Sequence, residues 1–322
     1  MKTKPKILVV GSFVMDLIVR TGRYPGKGET VLGLDFSTAS GGKGANQAVQ
    51  AARLGAAVEI IGKVGNDDFG RQMIESVRDA GVDVRGILVT EETSSSIGNV
   101  QLLVTPEETA NRIIVVPGAN ACLRSEDVAF LRDAIADYDM VMLQLEIPME
   151  INELVASYAH AKGVPVMLNP APAAPLSAQL LSCLTYISPN EHEAAELSGV
   201  AIVDEESAER AAKALLDKGI RNVIITLGER GALYCNRHET FYCDCVHCDN
   251  VQDPTAAGDS FVGAFCTAIC EGMPPRQAMA FANATASLTV ARMGAQPSLP
   301  ARAEVDRVWR RCAANEPQKQ EA

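Results

Sequence analysis

Short apolar runs alternate with helical stretches along almost the whole chain, and that rhythm admits few folds. Lys6–Val10, Val58–Lys63, Met140–Gln144, Val164–Leu168, Thr185–Ser188 and Val223–Leu227 read as buried strands. Asp68–Ala80, Ser125–Ala136, Ile151–Lys162 and Glu205–Lys218 carry apolar residues at helical spacing. Strands spaced by helices imply right-handed βαβ crossovers, hence a doubly wound, mainly parallel sheet flanked by helices. Composition agrees: only 5% of residues are aromatic, and the apolar weight falls on Ala, Val, Leu and Ile, the residues of helices covering a parallel sheet.

Two stretches break the rhythm. Phe13–Ser40 and Ile97–Val116 contain strand-like segments, at Leu17–Arg20, Thr30–Phe36, Ile97–Val104 and Arg112–Val116, with no helix between them. They are expected to form one small antiparallel sheet inserted twice into an α/β body made of residues 1–12, 41–96 and 117–313. A sheet projecting from the carboxyl ends of the strands is placed to act as a lid over residues bound there. The polar end, 314–322, is expected to be disordered.

The charge narrows the partners. Twenty-nine Lys and Arg against 40 Asp and Glu leave a net charge of −11, which argues against sequence-independent nucleic-acid binding. No apolar stretch approaches a membrane span, and Ile7–Val10 is too short for the core of a secretion signal, so a cytosolic protein without membrane contact is expected. The nine cysteines are an odd number scattered through apolar segments, which speaks against a disulfide framework.

Chemistry concentrates in two small-residue motifs. Asp253-Pro-Thr-Ala-Ala-Gly-Asp259 leads directly into the apolar run SFVGAFCTAIC, so the backbone N–H groups of Ala256, Ala257 and Gly258 fall at a helix N-terminus, where orphan donors and the dipole attract an anion. Asp259 adds a carboxylate beside that hole, suited to orienting and deprotonating a hydroxyl, although by itself it is equally a first-turn acid complementing the dipole. Ser40-Gly-Gly-Lys-Gly-Ala-Asn46 opens a second helix with three glycines around Lys43. It is no Walker loop, since Gly44 stands where Ser or Thr is required, and the dinucleotide fingerprint fails at Gln47. Further polar groups sit at strand ends: Asp16, Glu146, Asn190 to Glu193, and Thr226 to Gly231.

Taken in order along the chain, GGKGANQA, PNEHEAAELSG, ITLGERGA, TAAGDSF and GAQPS resemble the ribokinase family of sugar kinases (the PfkB-type carbohydrate kinases), and Asn-Pro-Ala-Pro at Asn169–Pro172 points to its ribokinase branch. The resemblance implies transfer of the γ-phosphoryl of ATP to the 5-hydroxyl of D-ribose, giving ribose 5-phosphate and ADP. It implies Asp259 as general base and Ala256, Ala257 and Gly258 as the anion hole. Asp16, Gly42, Lys43, Asn46 and Glu146 match the sugar-binding positions, with Asp259. Asn190, Thr226, Gly228, Gly231 and Asn283 match the nucleotide-binding ones, with Gly258. Glu193 matches an acid linked indirectly to magnesium. Asp253, Thr255, Thr289, Arg292, Gly294 and Ser298 match a monovalent cation site, usually potassium, in which Pro254 is unusual. A homodimer paired through the lid is implied as well.

Val14 leaves 2-deoxyribose open as substrate, since some relatives carry Asn there to bond sugar hydroxyls. A related sugar or nucleoside kinase and a silent sugar-binding regulator are the alternatives. Retention of Asp259 beside Gly258 counts against the regulator. The cluster Cys235, Cys243, Cys245, His247 and Cys248 fits no usual zinc spacing and reads as a half-buried strand.

Overall fold

A computed structural model describes residues 4–104, 109–248 and 250–315. The strands are β1 (Lys6–Val10), β2 (Val14–Thr21), β3 (Asp35–Gly41), β4 (Ala57–Gly65), β5 (Ile87–Thr90), β6 (Ile97–Val104), β7 (Thr109–Val116), β8 (Met140–Gln144), β9 (Val166–Asn169), β10 (Tyr186–Ile187), β11 (Asn222–Thr226), β12 (Ala232–Asn236) and β13 (Thr240–Cys243). The helices are α1 (Lys43–Arg53), α2 (Asp68–Asp79), α3 (Ser125–Val128), α4 (Leu131–Ala134), α5 (Met149–Ala161), α6 (Ala178–Cys183), α7 (Glu191–Ser198), α8 (Glu205–Asp217), α9 (Ala257–Cys270), α10 (Pro275–Val290) and α11 (Arg302–Asn315).

The larger sheet runs β13-β12-β11-β10-β9-β8-β1-β4-β5. All its pairs from β10 through β5 and the β10–β11 pair are parallel; β11, β12 and β13 pair antiparallel at one edge. Alternation along each strand feeds two cores. Ile7, Val9, Met140 and Met142 pack with α1, α2, α9 and α10 on one face, while Leu8, Val10, Val141 and Leu143 pack with α3 to α8 on the other. The chain leaves β1 for β4 on one side and has β8 on the other, so the topology switches direction between β1 and β8. Crevices for ligands form there, beyond the carboxyl ends of the strands.

The small sheet has the order β3-β2-β6-β7, and its central pair corrects an expectation. Strands β2 and β6 run parallel, from Met15 opposite Ile97 to Thr21 opposite Leu103, so the insert is a mixed sheet and not an antiparallel one. Strand β2 follows β1 and β6 follows β5, two body strands that run the same way, so both enter the insert from carboxyl ends. The second lid strand is also displaced from Thr30–Phe36 to Asp35–Gly41. Its register sets Asp35 opposite Arg20, and the segment before it has already run past the end of β2.

Elsewhere the expected helix at Ser125–Ala136 is broken into α3, α4 and a 3-10 turn at Ile135–Asp137, although Val128, Leu131 and Ile135 stay buried at helical spacing. The strand read through the cysteine cluster ends at Cys243, leaving Cys245 and His247 outside any strand. No disulfide joins the cysteines. No helix among the described residues is long and apolar enough to cross a membrane. The expected tail lies almost wholly outside the described residues.

Candidate active site

Helices α1 and α9 place their N-termini side by side at the switch point, and α1 owes its place to glycine. Gly42, at φ 92°, precedes α1, and a Cβ there would sit 2.7 Å from the Val14 nitrogen. A Cβ on Gly44 would lie 2.5 Å from the Ser12 nitrogen, so the helix can lie against the β1 exit only without one. Ser12 and Glu146 fix that start. The Ser12 hydroxyl donates to Glu146 Oε2 at 2.5 Å, the Lys43 N–H donates to the same oxygen at 2.9 Å, and the Gly44 N–H donates to Ser12 Oγ at 3.2 Å.

Helix α9 begins on Ala256 in the left-handed conformation at φ 61°, the one such non-glycine residue among those described. This costs on the order of 1–2 kcal/mol, and such strain persists where the surroundings impose it. No side chain caps the helix. The Ala257 N–H turns back to the Pro254 carbonyl at 3.2 Å, which leaves Gly258 and Asp259 as first-turn donors without an intrahelical acceptor. Of the expected hole of Ala256, Ala257 and Gly258, Ala257 spends its N–H on the Pro254 carbonyl in this structure. A Cβ on Gly258 would meet nothing within 4 Å, so open space adjoins this first turn.

Asp259 itself is buried and held at both oxygens. Asn46 Nδ2 donates to Oδ2 at 2.9 Å and Gln47 Nε2 to Oδ1 at 3.0 Å. Lys43 lies in the same electrostatic neighbourhood. Burial by itself would lower its ammonium pKa, but the carboxylates of Asp259, Glu146 and Glu193 outweigh that and hold it above the ordinary lysine value. Glu193 is pushed up, mainly by burial, against the opposing pull of the Asn190 N–H and Lys43.

Asp16 reaches the site from the lid. Gly41 on β3 and Gly98 on β6 flank it, and a Cβ on either would come within 2.9 and 2.4 Å of its carboxylate oxygens. No protein donor reaches that carboxylate among the described residues. Burial, then Glu146, then Asp253 raise its pKa to about 7.

The nucleotide-side residues form a second group at the ends of β10 and β11. Asn190 caps α7 reciprocally with Glu193, with both bonds at 2.9 Å, and bridges to Thr226. Gly228 and Gly231 carry positive φ of 59° and 86° in the turn after β11, where a Cβ on Gly231 would strike the Cys243 carbonyl at 2.1 Å. The Asn283 amide donates to the Cys243 and Asp244 carbonyls at 3.0 Å each, so it holds the exit of β13 and keeps only its oxygen for other partners.

The segment at Asp253 is tied to the end of α10. Gln252 and Asp253 donate their N–H groups to the Val290 carbonyl, and Asp253 accepts from Thr255 and Gly294 N–H at 2.9 Å each. Asp253, Thr255, Thr289, Arg292 and Gly294 are therefore gathered at one junction. Ser298, fully buried, donates its hydroxyl to the Ala295 carbonyl. No group of three or more His, Cys, Asp or Glu among the described residues is arranged to hold a metal, the cysteine cluster included.

Sequence reasoning missed Gln47, Gln144 and Asn169 as parts of this site. Gln47 and Asn169 stood inside motifs that were read, but nothing local says that they meet.

The comparisons agree with the geometry. The profile described as pfkB family carbohydrate kinase matches residues 4–302. A ribokinase of Schizosaccharomyces pombe is 40% identical over 93% of this chain and 96% of its own length. One from Haemophilus influenzae is 39% identical over 92% and 96%. The structure of Arabidopsis thaliana ribokinase complexed with ribose and ATP superposes with a TM-score of 0.88 at 32% identity, covering 95% of this chain and 99% of that one.

Proposed function

We propose, on the premise that this chain belongs to the pfkB family of carbohydrate kinases, that it transfers the γ-phosphoryl group of ATP to the 5-hydroxyl of D-ribose. The observation that carries this reading is the pairing of Asp259, gripped by an amide on each oxygen, with the uncapped N-terminus of α9. A binding protein has no use for a buried carboxylate beside an anion hole; a phosphoryl transfer needs both.

In this reading Asp16, Gly42, Lys43, Asn46 and Glu146 hold the sugar hydroxyls, the lid carrying Asp16 over them. Asp259 accepts the proton of the attacking hydroxyl. The loose transition state acidifies that proton late, so positioning with charge stabilisation does most of the work. The N–H groups of Gly258 and Asp259 receive the charge that gathers on the transferred group, and Lys43 adds a full positive charge nearby. The nucleotide lies toward Asn190, Thr226, Gly228, Gly231 and Asn283.

Magnesium bound with ATP would neutralise charge on the phosphates. The buried Glu193 beside Lys43 and Asp259 fits an indirect role toward it, through water. The junction of Asp253, Thr255, Thr289, Arg292 and Gly294 offers a carboxylate and carbonyls, an all-oxygen donor set that suits potassium. Ser298 stands near that junction. A cation there would act by ordering the Pro254–Gly258 turn. We also assign the enzyme to the cytoplasm and pair two copies through the lid.

The test is ADP release with Mg-ATP, D-ribose against 2-deoxy-D-ribose, each in potassium and in sodium. Fast turnover on ribose, raised by potassium, is expected. Preference for deoxyribose keeps the mechanism and moves specificity to Val14, a residue without hydroxyl-bonding groups. Asp259→Asn should lose at least about a thousandfold in kcat with sugar affinity within a few-fold; if that variant stays active, Asp259 is not the base.

A further inference from the structure

Resting on Asp259 as the base, we infer that Gln47 is a positioning residue, which aims the Asp259 carboxylate and is itself held in one amide orientation by Asn169, with Gln144 donating to its oxygen. Gln47 lies on α1 one turn after Lys43 and is fully buried. Its three polar valences are all engaged. Nε2 donates one hydrogen to Asp259 Oδ1 at 3.0 Å and the other to Asn169 Oδ1 at 3.2 Å, while Oε1 accepts from Gln144 Nε2 at 2.7 Å.

The neighbours make that orientation unique. Asn169 donates its own amide to the Ser188 carbonyl at 2.9 Å, so its oxygen must face Gln47. Gln144 ends β8 and is fully buried, and its side chain is confined against Gly11, where a Cβ would come within 2.2 Å of Oε1. Turning the Gln47 amide over would set its oxygen against two acceptor oxygens, those of Asp259 and Asn169. Each buried mismatch of that kind costs about 1–3 kcal/mol. The ends of β8 and β9 and the exit of β10 therefore fix the base through amides, with no charge of their own. Asn46 holds the other oxygen, and the remaining lone pairs are left for the substrate hydroxyl.

Gln47 touches no substrate in this account, so its loss should appear as a misaimed Asp259, in turnover and not in sugar binding. The charged groups facing Asp259, Lys43 from α1 and Glu193 from α7, are untouched by Gln47→Leu.

The experiment uses the full chain with Mg-ATP and D-ribose. For Gln47→Leu we expect kcat to fall about 10- to 100-fold while sugar KM changes no more than about threefold. Gln47→Glu keeps the shape but sets a second carboxyl in place of the donor to Asp259, and should lose at least as much kcat with the same small change in KM. Gln144→Leu should act in the same direction but more weakly, and combined with Gln47→Leu should add nothing, since both break one chain of contacts. Wild-type kcat in folded Gln47→Leu, or a loss that falls on sugar KM instead of kcat, overturns the inference while leaving the kinase reading intact. If Gln47→Leu does not fold, wild-type kcat in folded Gln47→Glu does the same. An inert wild type overturns both.

Discussion

Two carboxylates in one cleft receive opposite treatment, and their difference divides the labour. Asp259 has an amide on each oxygen, whereas Asp16 stands between two glycines with no donor and two acids nearby. With its pKa raised to about 7 from an ordinary 3.8, Asp16 binds its proton more tightly folded than unfolded. The cost to stability is therefore full above pH 7 and shrinks as the pH falls toward 4. Asp16→Asn should raise Tm at pH 8, the gain diminishing in melts at lower pH, while sugar KM rises about tenfold or more from loss of an acceptor. A variant no more stable than wild type at pH 8 would show that Asp16 is not held at a cost. In the wild type, sugar affinity should weaken as the pH drops below 7, where the protonated acid no longer accepts two hydroxyl bonds.

At the scale of elements, the start of α9 joins a strained residue to an open one. Ala256 carries the positive φ, while Gly258 lies in ordinary helix with free space where a side chain would go. Gly258→Ala should leave stability unchanged or raise it by about 0.5 kcal/mol through helix propensity. It should also raise the KM for ATP and lower kcat about tenfold, because a methyl group then stands beside the anion-binding N–H. Equal activity would mean that the nucleotide does not approach there. The sequence made this element legible: small residues, an acid and an apolar helix are contiguous, and contiguity is what local chemistry reads. The six body strands at the centre of the sheet were legible for the same reason. What escaped was long-range: the amide chain from Gln144 to Asp259 joins four elements, and a buried Gln in an Ala-rich helix gives no sign of its partners. The displaced β3 and the parallel β2–β6 pair were invisible because register is set between segments far apart in sequence, not within either one.

At the scale of the molecule, the lid's edge strands β3 and β7 expose Phe36, Ile113 and Ile114 at 64%, 53% and 63%. An apolar surface of this kind on edge strands calls for a cover, and a second lid supplies one of matching shape. Ile114→Glu should convert a dimer to monomers in light scattering on a sizing column; a wild type that runs as a monomer would end that part of the reading. The parallel pair at the lid's centre also bears on how the chain comes to be folded. Joining Met15 to Ile97 closes a loop through most of one half of the body. For a span of about 80 residues the closure entropy is about 4 kcal/mol. That entropy is offset only once β4, α2 and β5 already hold the intervening chain in place. On that ground the small sheet is expected to assemble last and to come undone first. Its backbone amides should exchange with solvent deuterium together, ahead of those of β1 and β8, so opening the sugar site and taking the first step of unfolding are the same motion.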